Sequence, residues 1–361
     1  MAYYHSRYGA PRKKKKNRFR KFLIWFFIVV LLAAAGAGYY VYTLVFNPNV
    51  WTPEEKEVSI FVPTGSTYED VQRILYSNGL VIKRKNFEWW AEKKNFPATV
   101  KPGHYVIKNG MNNDELINLL RSGNQVPVMV TFNNLRNLYQ LAGKVGKQIE
   151  ADSTALINLL KSQGLLENKK IDSANMKGIF IPNTYEFYWN TSAEGFVDRM
   201  FEENSKFWNS SRNTKVGGLG LSKEEVVTLA SIVEKETNKN DEKPMIAGVY
   251  LNRLESQWRL QADPTVVYAI GDFNIRRVLN KHKKFESPYN TYEHLGLPPG
   301  PICIPSISSI DAVLNSTSSD YMFFCARDDL SGYHAFAKTN AGHRKNAKAY
   351  QKALDEMGIY R

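Results

Sequence analysis

The sequence predicts an α+β protein that combines an N-terminal transmembrane helix, a small αβ module and a larger, mainly helical mixed α/β domain. Three observations carry this prediction. Residues 22–53 contain no charged side chain, short strand and helix patterns alternate between Val58 and Phe132, and helical patterns dominate from about Leu135. With 361 residues, 43% of them hydrophobic, the chain is long enough for two domains with substantial cores.

The first element is an apolar run that predicts a membrane-spanning helix over residues 22–47. At about 1.5 Å per residue, it is long enough to cross a hydrocarbon core of about 30 Å. Residues 1–21 carry nine Lys or Arg and no acidic residue, which predicts a cytoplasmic tail. We therefore expect a single-pass protein of the cytoplasmic (inner) membrane, with everything after about residue 50 periplasmic or extracytoplasmic. A cleaved signal peptide is the alternative, but its apolar region spans only about 7 to 15 residues.

The charge distribution argues against a nucleic-acid partner. The formal net charge is +13, but residues 1–21 hold most of it and the remainder carries only +4. A basic tail beside a membrane span has a topological role, and the rest of the chain is nearly balanced. Cys303 and Cys325 are the two cysteines of the sequence, and nothing in their setting requires that they pair. No metal-binding spacing occurs, and no cofactor is expected.

Residues 58–132 read as a small αβ module. EVSIFV is typical of a strand, and the following helix begins after Thr67 and ends at Gly79. The same strand–helix pattern recurs in GHYVI, which is followed by a polar turn and a second helix. FEWWAEKKN predicts a further helix between the two halves. VPVMVTF is expected to close the module as a strand. Its residue types leave a structural adaptor and a carbohydrate-binding module equally open.

The larger domain, residues 135–361, contains two helices that the sequence defines well. Ser222 and Glu225 form an S-x-x-E capping box ahead of an apolar run, and a second helix begins at Pro244. The aromatic segment IFIPNTYEFYWNTS, residues 179–192, is expected to be irregular.

Two glutamates lie at the end of the first of these helices, in ASIVEKETNK. Glu234 and Glu236 fall on the two flanks of the apolar stripe, so neither faces solvent fully. A carboxyl on the edge of a buried face has its pKa raised by desolvation and can act as a general acid. The pattern alone favours a second interpretation, in which both are exposed or paired with nearby lysines.

Two later segments favour the chemical interpretation. YLNRLESQWRLQADPTVVYAIGD and SPYNTYEHLGLPPGPICIPS are rich in Asn, Gln, Asp, Tyr, Pro and Gly. Neutral hydrogen-bonding groups and aromatic faces are what a polyhydroxylated, acetamido-bearing ligand requires of a cleft. The candidate substrate-binding residues are Asn252, Gln261, Asp263, Thr265, Tyr289, Asn290 and Tyr292.

The ordered set IVEKET, YLNRL, LQADPTVVYAIG, YNTY and GLPPGPI closely resembles the YceG-like endolytic murein transglycosylases, the membrane-anchored MltG family. The resemblance covers nearly the whole predicted exported portion and implies that residues 58–132 are a LysM-like module and residues 135–361 the catalytic domain. It also implies that Glu236, the second glutamate of E-K-E-T, is the catalytic acid. One departure is PNTY at Pro182–Tyr185, where the family has a P-D-T-Y-like segment.

The resemblance implies cleavage of peptidoglycan between N-acetylmuramic acid and N-acetylglucosamine, with 1,6-anhydro ends as products. Glu236 would first donate a proton to the glycosidic oxygen and then accept one from the muramoyl C6 hydroxyl. Glu234 is a poor second carboxylate, because helix positions two apart point about 200° away from each other. Asp263 is either an electrostatic partner or a loop residue. Gln261 and Asn290 are plausible ligands of the acetamido group and sugar hydroxyls, and His334 is expected to be structural.

Two alternatives remain at the level of the sequence. One is a muramidase that hydrolyses the same bond, and the other is a non-catalytic wall-binding scaffold of the synthesis machinery. The expected partners are glycan strands, the membrane through residues 22–47 and, by resemblance, peptidoglycan synthases. By the same resemblance, cleavage inside nascent strands would limit glycan length.

Overall fold

The computed structural model describes Gly9 and residues 17–358 and divides the chain into two compact units. The first ends at Val126 and the second begins at Pro127. The predicted basic tail, residues 1–21, lies mostly outside the described residues. The mixed α+β class and the predominance of helix follow the prediction.

Helix α1, Arg18–Phe46, is the apolar element. Its 29 residues extend over about 44 Å at the rise of an α-helix, so it is long and apolar enough to cross a membrane. The helix contains the predicted span almost entirely, begins four residues earlier and ends at Phe46.

The first unit continues with strand β1, helices α2 and α3, strand β2 and helix α4. Their bounds are Val58–Val62, Tyr68–Ser77, Arg84–Lys93, Gly103–Ile107 and Asn113–Ser122. β1 and β2 pair antiparallel, with Val58 opposite Ile107. Thr67 caps α2 in a capping box with Asp70, as its sequence predicts. Buried side chains from all these elements form one apolar core.

The C-terminal end of α1 is joined to the rest of the first unit by polar contacts. Asn113 at the start of α4 donates from Nδ2 to the Leu44 carbonyl over 2.7 Å. Asn49 donates from Nδ2 to Asn113 Oδ1 over 2.7 Å, and its Oδ1 accepts from the Lys83 backbone N–H at 2.7 Å. Val45 is buried in the same region. The helix therefore ends on the small module itself.

The second unit begins with strand β3, Val128–Phe132, the strand that the sequence assigns to the end of the small module. Its partner is β4, Asn183–Phe187, in the second unit, with Val130 opposite Tyr185. The segment expected to be irregular thus contains a strand, because its alternate residues Tyr185 and Phe187 point into a core. The helices between and after these strands are α5 (Leu138–Val145), α6 (Ser153–Leu160), α7 (Gln163–Lys169), α8 (Ala193–Phe207) and α9 (Ser210–Leu219).

A second core of this unit is built around α10, Lys223–Glu236, and α11, Lys243–Glu255. Ser222 caps α10 with Glu225, and nine consecutive residues, Val226 to Glu234, are buried. This helix is central rather than amphipathic, since it packs on α11 and on α14, Ile307–Leu314. The remaining elements are α12 (Asp263–Ile270), α13 (Asn280–Lys283), β5 (Phe323–Ala326), β6 (His334–Ala337) and α15 (Asn340–Glu356), with β5 and β6 antiparallel.

Candidate active site

Glu236 is the last helical residue of α10, and the chain leaves the helix at Thr237 in an extended conformation. The buried run ahead of it fixes the helix in the core, so the position of Glu236 is set by the packing of the whole element. A carboxylate at a helix C-terminus also faces the negative end of the helix dipole, which disfavours ionisation.

The surroundings of Glu236 raise the pKa of its carboxyl, so that it is partly protonated near neutral pH. Burial raises the pKa of its carboxyl to about 7, and the Asp263 carboxylate adds to the rise. The Tyr250 hydroxyl, which donates to Glu236 Oε1 over 2.5 Å, and the Arg253 guanidinium act in the opposite direction. Burial and the nearby Glu236 raise the pKa of Tyr250, so this hydroxyl stays protonated and remains a donor.

Glu234, two residues earlier, has a different environment. Its Oε2 accepts from the Ser306 and Ser309 hydroxyls, each at 2.5 Å, and from Lys243 Nζ at 3.2 Å. Burial alone would raise the pKa of this carboxyl, but the two hydroxyls and the ammonium outweigh it and leave the pKa below its usual value. Asn134 also donates to its Oε1. Glu234 is therefore a buried, ionised, fully bonded structural group, as its pairing alternative predicts.

A cavity of about 350 Å³ opens beside Glu236. Asp263 and Tyr268 of α12 line one part of it, and Phe273 and Arg276 of the following loop line another. Ligand pockets of this size combine apolar walls with a few polar groups that fix orientation. The remaining lining residues are Arg136, Lys235, Pro264, Val267, Ile275, Val278 and Ile302. The cavity can hold a reacting group against a protonated carboxyl.

Some of the predicted substrate-binding residues lie at this cavity. Asp263 lines it, and the Tyr292 hydroxyl donates to Asp263 Oδ1 over 2.6 Å. Tyr289 packs its ring on Tyr268, a lining residue, with the ring centroids 4.8 Å apart. Gln261 is exposed next to Asp263 in a left-handed conformation, φ 51°, and its backbone N–H donates to the Thr291 carbonyl.

The other three predicted residues have structural placements, and their contact with substrate stays a prediction. Thr265 and Asn290 are fully buried. Thr265 bonds the Thr291 hydroxyl, and Asn290 donates to the Lys283 and Phe285 carbonyls. Asn252 donates to the carbonyls of Ser319 and Tyr321. Polar composition alone does not distinguish a side chain that ties a loop from one that meets a ligand.

Several residues at the site were not predicted from the sequence. Tyr250 falls on the apolar stripe of α11, so its pattern indicates core rather than chemistry. Arg136, 100 positions before Glu236, and Phe273 form a cation–π pair at the cavity, with the guanidinium carbon 3.9 Å from the ring centroid. For Phe273, the one indication in the sequence is the group of basic and aromatic residues that follows α12.

Two further expectations concern residues outside the cavity. The His334 ring bonds Glu242 through Nδ1 at 2.7 Å, a structural contact that matches its prediction. Cys303 is buried, Cys325 is partly exposed, and both are free thiols. Within the part of the chain that the structure describes, no group of three or more His, Cys, Asp or Glu side chains is arranged to hold a metal ion.

Comparison with known proteins finds similarity to YceG-like proteins and endolytic murein transglycosylases. The YceG-like family model matches residues 60–349. A Bacillus subtilis (strain 168) protein named endolytic murein transglycosylase is 30% identical over 333 residues, which cover 86% of this chain and 91% of that protein. A protein of the same name from Streptococcus pneumoniae R6 is 29% identical, and this chain spans 62% of its length. The crystal structure of a yceG-like protein from Listeria monocytogenes is 26% identical, with a TM-score of 0.52, over 81% of this chain and 99% of that one.

Proposed function

The chain belongs to the YceG-like family, and from this premise we propose that it is an endolytic murein transglycosylase, a lyase that cuts the glycan strands of peptidoglycan. The observation that carries the proposal is Glu236, a carboxyl with a pKa raised to about 7 that lines a cavity of about 350 Å³. Near neutral pH such a group is present in both protonation states, which suits a residue that must give a proton and then take one.

The proposed reaction cleaves the bond between C1 of N-acetylmuramic acid and O4 of N-acetylglucosamine. Glu236 donates its proton to O4 as the C1–O4 bond breaks through an oxocarbenium-like state. The resulting carboxylate then accepts the proton of the muramoyl C6 hydroxyl while O6 bonds to C1 and closes the 1,6-anhydro ring. The carboxyl is protonated again at the end, and no water is consumed. Proton transfer by a positioned group contributes about 10² to 10⁴ in rate.

Tyr250 and Asp263 would support this step in different ways. Tyr250 holds one oxygen of Glu236, so the other is free to face the substrate. Asp263 shares the cavity and would place negative charge near the positive charge that develops on the sugar ring. Its own carboxylate is held by the Tyr292 hydroxyl.

We place the cleavage at a membrane surface. The support is α1, together with the nine basic residues in 1–21, which favour a cytoplasmic N-terminus. We further propose that residues 58–132 form a LysM-like wall-binding module, that residues 135–361 are the catalytic domain and that peptidoglycan synthases are partners. The compact first unit, with two antiparallel strands and the three helices α2, α3 and α4 beside them, supports a separate binding module. Cleavage of nascent strands near their synthases would limit strand length.

The test is digestion of uncrosslinked glycan strands by the full chain in detergent micelles, with the products weighed by mass spectrometry. The unmodified protein should release anhydro ends, lighter by one water than reducing ends. Glu236→Gln should lower cleavage by at least about 10²-fold, because the amide cannot donate the proton. Glu224→Gln, an exposed glutamate of the same helix, is the control and should cleave normally. Undiminished cleavage by Glu236→Gln would remove Glu236 from the reaction.

A hydrolytic muramidase is the second candidate, favoured by one observation. Asp263 gives the cavity a second carboxylate beside Glu236, and glycosidases that hydrolyse generally use two carboxyl groups. Reducing ends instead of anhydro ends would assign hydrolysis to this cavity.

A further inference from the structure

A second cavity, of about 240 Å³, lies next to the catalytic one in the second unit. It is lined by Asn137, Leu138, Tyr139, Ile157, Leu160, Lys161, Ser173 and Lys177. Two links join it to the catalytic cavity. Lys177 Nζ donates to the hydroxyl of Tyr268, a catalytic-cavity residue, over 2.6 Å, and Asn137 follows Arg136 in the chain.

Lys177 is the group that points to a ligand. Its side chain is only 7% exposed, yet its ammonium forms no ion pair with any carboxylate of the described residues. Its contacts there are the Tyr268 hydroxyl and the hydroxyl edge of the same ring, whose centroid is 4.5 Å from Nζ. An ammonium carries three N–H donors, and a buried charge without acceptors is costly. The remaining donors are therefore available to an oxygen that enters the second cavity.

Tyr139 supplies an aromatic surface at the same cavity. The residue is 59% exposed on α5, and Lys161 Nζ donates to its hydroxyl over 2.8 Å. The same Nζ lies 5.0 Å from the ring centroid, so it sits beyond the hydroxyl edge and leaves the ring face uncovered. An exposed ring held in place by an ammonium at its edge is a suitable stacking surface for the apolar face of a sugar.

The cavities continue beyond this point. A third hollow, of about 520 Å³, shares Lys161 and Ser173 with the second. The chain thus carries three adjoining hollows that begin at Glu236, a shape suited to a polymer rather than to a small molecule. The second cavity is near the lower limit of ligand pockets, about 300 Å³, and so suits a single sugar ring rather than a longer piece of strand.

We propose that the second cavity is a distal subsite for an N-acetylated sugar of the same glycan strand. There, Lys177 donates hydrogen bonds to hydroxyl or acetamido oxygens and Tyr139 stacks on the ring. This inference rests on the proposed function and extends it, because a subsite beyond the catalytic cavity favours substrates that continue past the cut. A preference for cutting inside a strand would then be a property of the three adjoining hollows.

The experiment measures kcat/KM of the full chain on uncrosslinked tetrasaccharides and on strands several disaccharides longer. The long-to-short ratio should fall about fivefold in Tyr139→Ala, the scale of one lost stacking contact, and should fall similarly in Lys177→Met. Tyr188→Ala is the matched control, since Tyr188 is 56% exposed in the same unit but lies outside the three hollows. An unchanged ratio in Tyr139→Ala and Lys177→Met, or an equal fall in Tyr188→Ala, would overturn the subsite.

Two additional arms separate the causes. The comparison is repeated with strands that carry or lack stem peptides, because a loss confined to peptide-bearing strands would assign Lys177 to a peptide carboxylate and contradict the sugar subsite. Should the unmodified chain cleave no strand at all, the proposed function fails. Binding of long strands to Glu236→Gln, with and without Tyr139→Ala, then still tests the subsite, and equal affinities would refute it.

Discussion

At the scale of the residue, the main finding is that two glutamates of α10 have pKa values shifted in opposite directions. Glu234 is surrounded by donors and has a lowered pKa, whereas Glu236 has a pKa of about 7. Their spacing of two residues explains the difference, because it turns one carboxyl toward α14 and the other toward the cavity. The sequence predicts Glu236 through family resemblance, but the neighbours of the two carboxyls come from residues 9 to 100 positions away.

The pH dependence of cleavage is the first consequence. Because the acid must be protonated, kcat/KM should fall as pH rises through about 7, by about tenfold per pH unit above it. In Tyr250→Phe the hydroxyl that lowers the pKa of Glu236 is lost, so this descending limb should move to higher pH. Tyr185→Phe, which removes a hydroxyl bonded to the Ile181 carbonyl, is the control and should leave the limb in place. A limb that does not move in Tyr250→Phe would exclude this role.

The raised pKa of Glu236 should also make the folded protein less stable at high pH. The pKa of Glu236 is higher in the folded than in the unfolded chain, so its contribution to stability is greatest below about pH 4.5 and is lost as pH rises through about 7. Glu236→Gln should therefore raise the free energy of unfolding at pH 8, by up to about 3 kcal/mol, and change it little at pH 4. Urea unfolding at both pH values measures this. Equal effects at pH 4 and pH 8 would show that the pKa is not raised in the folded state.

At the scale of the element, Glu234 joins three helices. It extends from α10 to Lys243 at the start of α11 and to Ser306 and Ser309 at the start of α14. The packing of these helices on one another is predictable from their apolar patterns. The polar contact at their ends is not, since Lys243 and the two serines look like ordinary surface residues in the sequence.

Breaking this contact should strongly lower the free energy of unfolding. Lys243→Met leaves the Glu234 carboxylate buried without its ammonium, which should lower the free energy of unfolding by about 3–5 kcal/mol. Denaturant unfolding at pH 7 provides the measurement. Glu234→Gln combined with Lys243→Met should cost less than the two single changes together. Lys338→Met, which removes an exposed pair with Asp320 at 2.7 Å, is the control and should have little effect. A small effect of Lys243→Met would mean that Glu234 is not ionised.

The strands show why the pairing of elements was harder to predict than the elements themselves. Val128–Phe132 has a clear strand pattern, and it does form β3, but its partner comes from a segment whose aromatic residues suggested irregular structure. Pairing over 55 positions is a tertiary property, and short alternating stretches carry no record of their partner. By contrast, the capped helices α2, α4 and α10 follow their local sequence signals closely.

At the scale of the whole molecule, the start of the first unit decides where the chain can be shortened. Asn49 and Val50 are buried, and Asn113 bonds the Leu44 carbonyl. A fragment that begins at Trp51 loses these groups and leaves Asn113 without its partners, so it should be less stable than one that begins at Thr43 by about 3 kcal/mol or more. Thermal unfolding of the first unit within both fragments measures the difference. Identical melting temperatures would show that residues 43–50 do not contribute to the fold.

The junction at Leu44 and Asn113 also has a mechanical consequence. Side-chain amides bond the end of the helix to the module, so no flexible linker separates the two. In a bilayer, the depth at which α1 settles would then fix the height of the module above the lipid. One added helical turn would shift that height by about 5 Å.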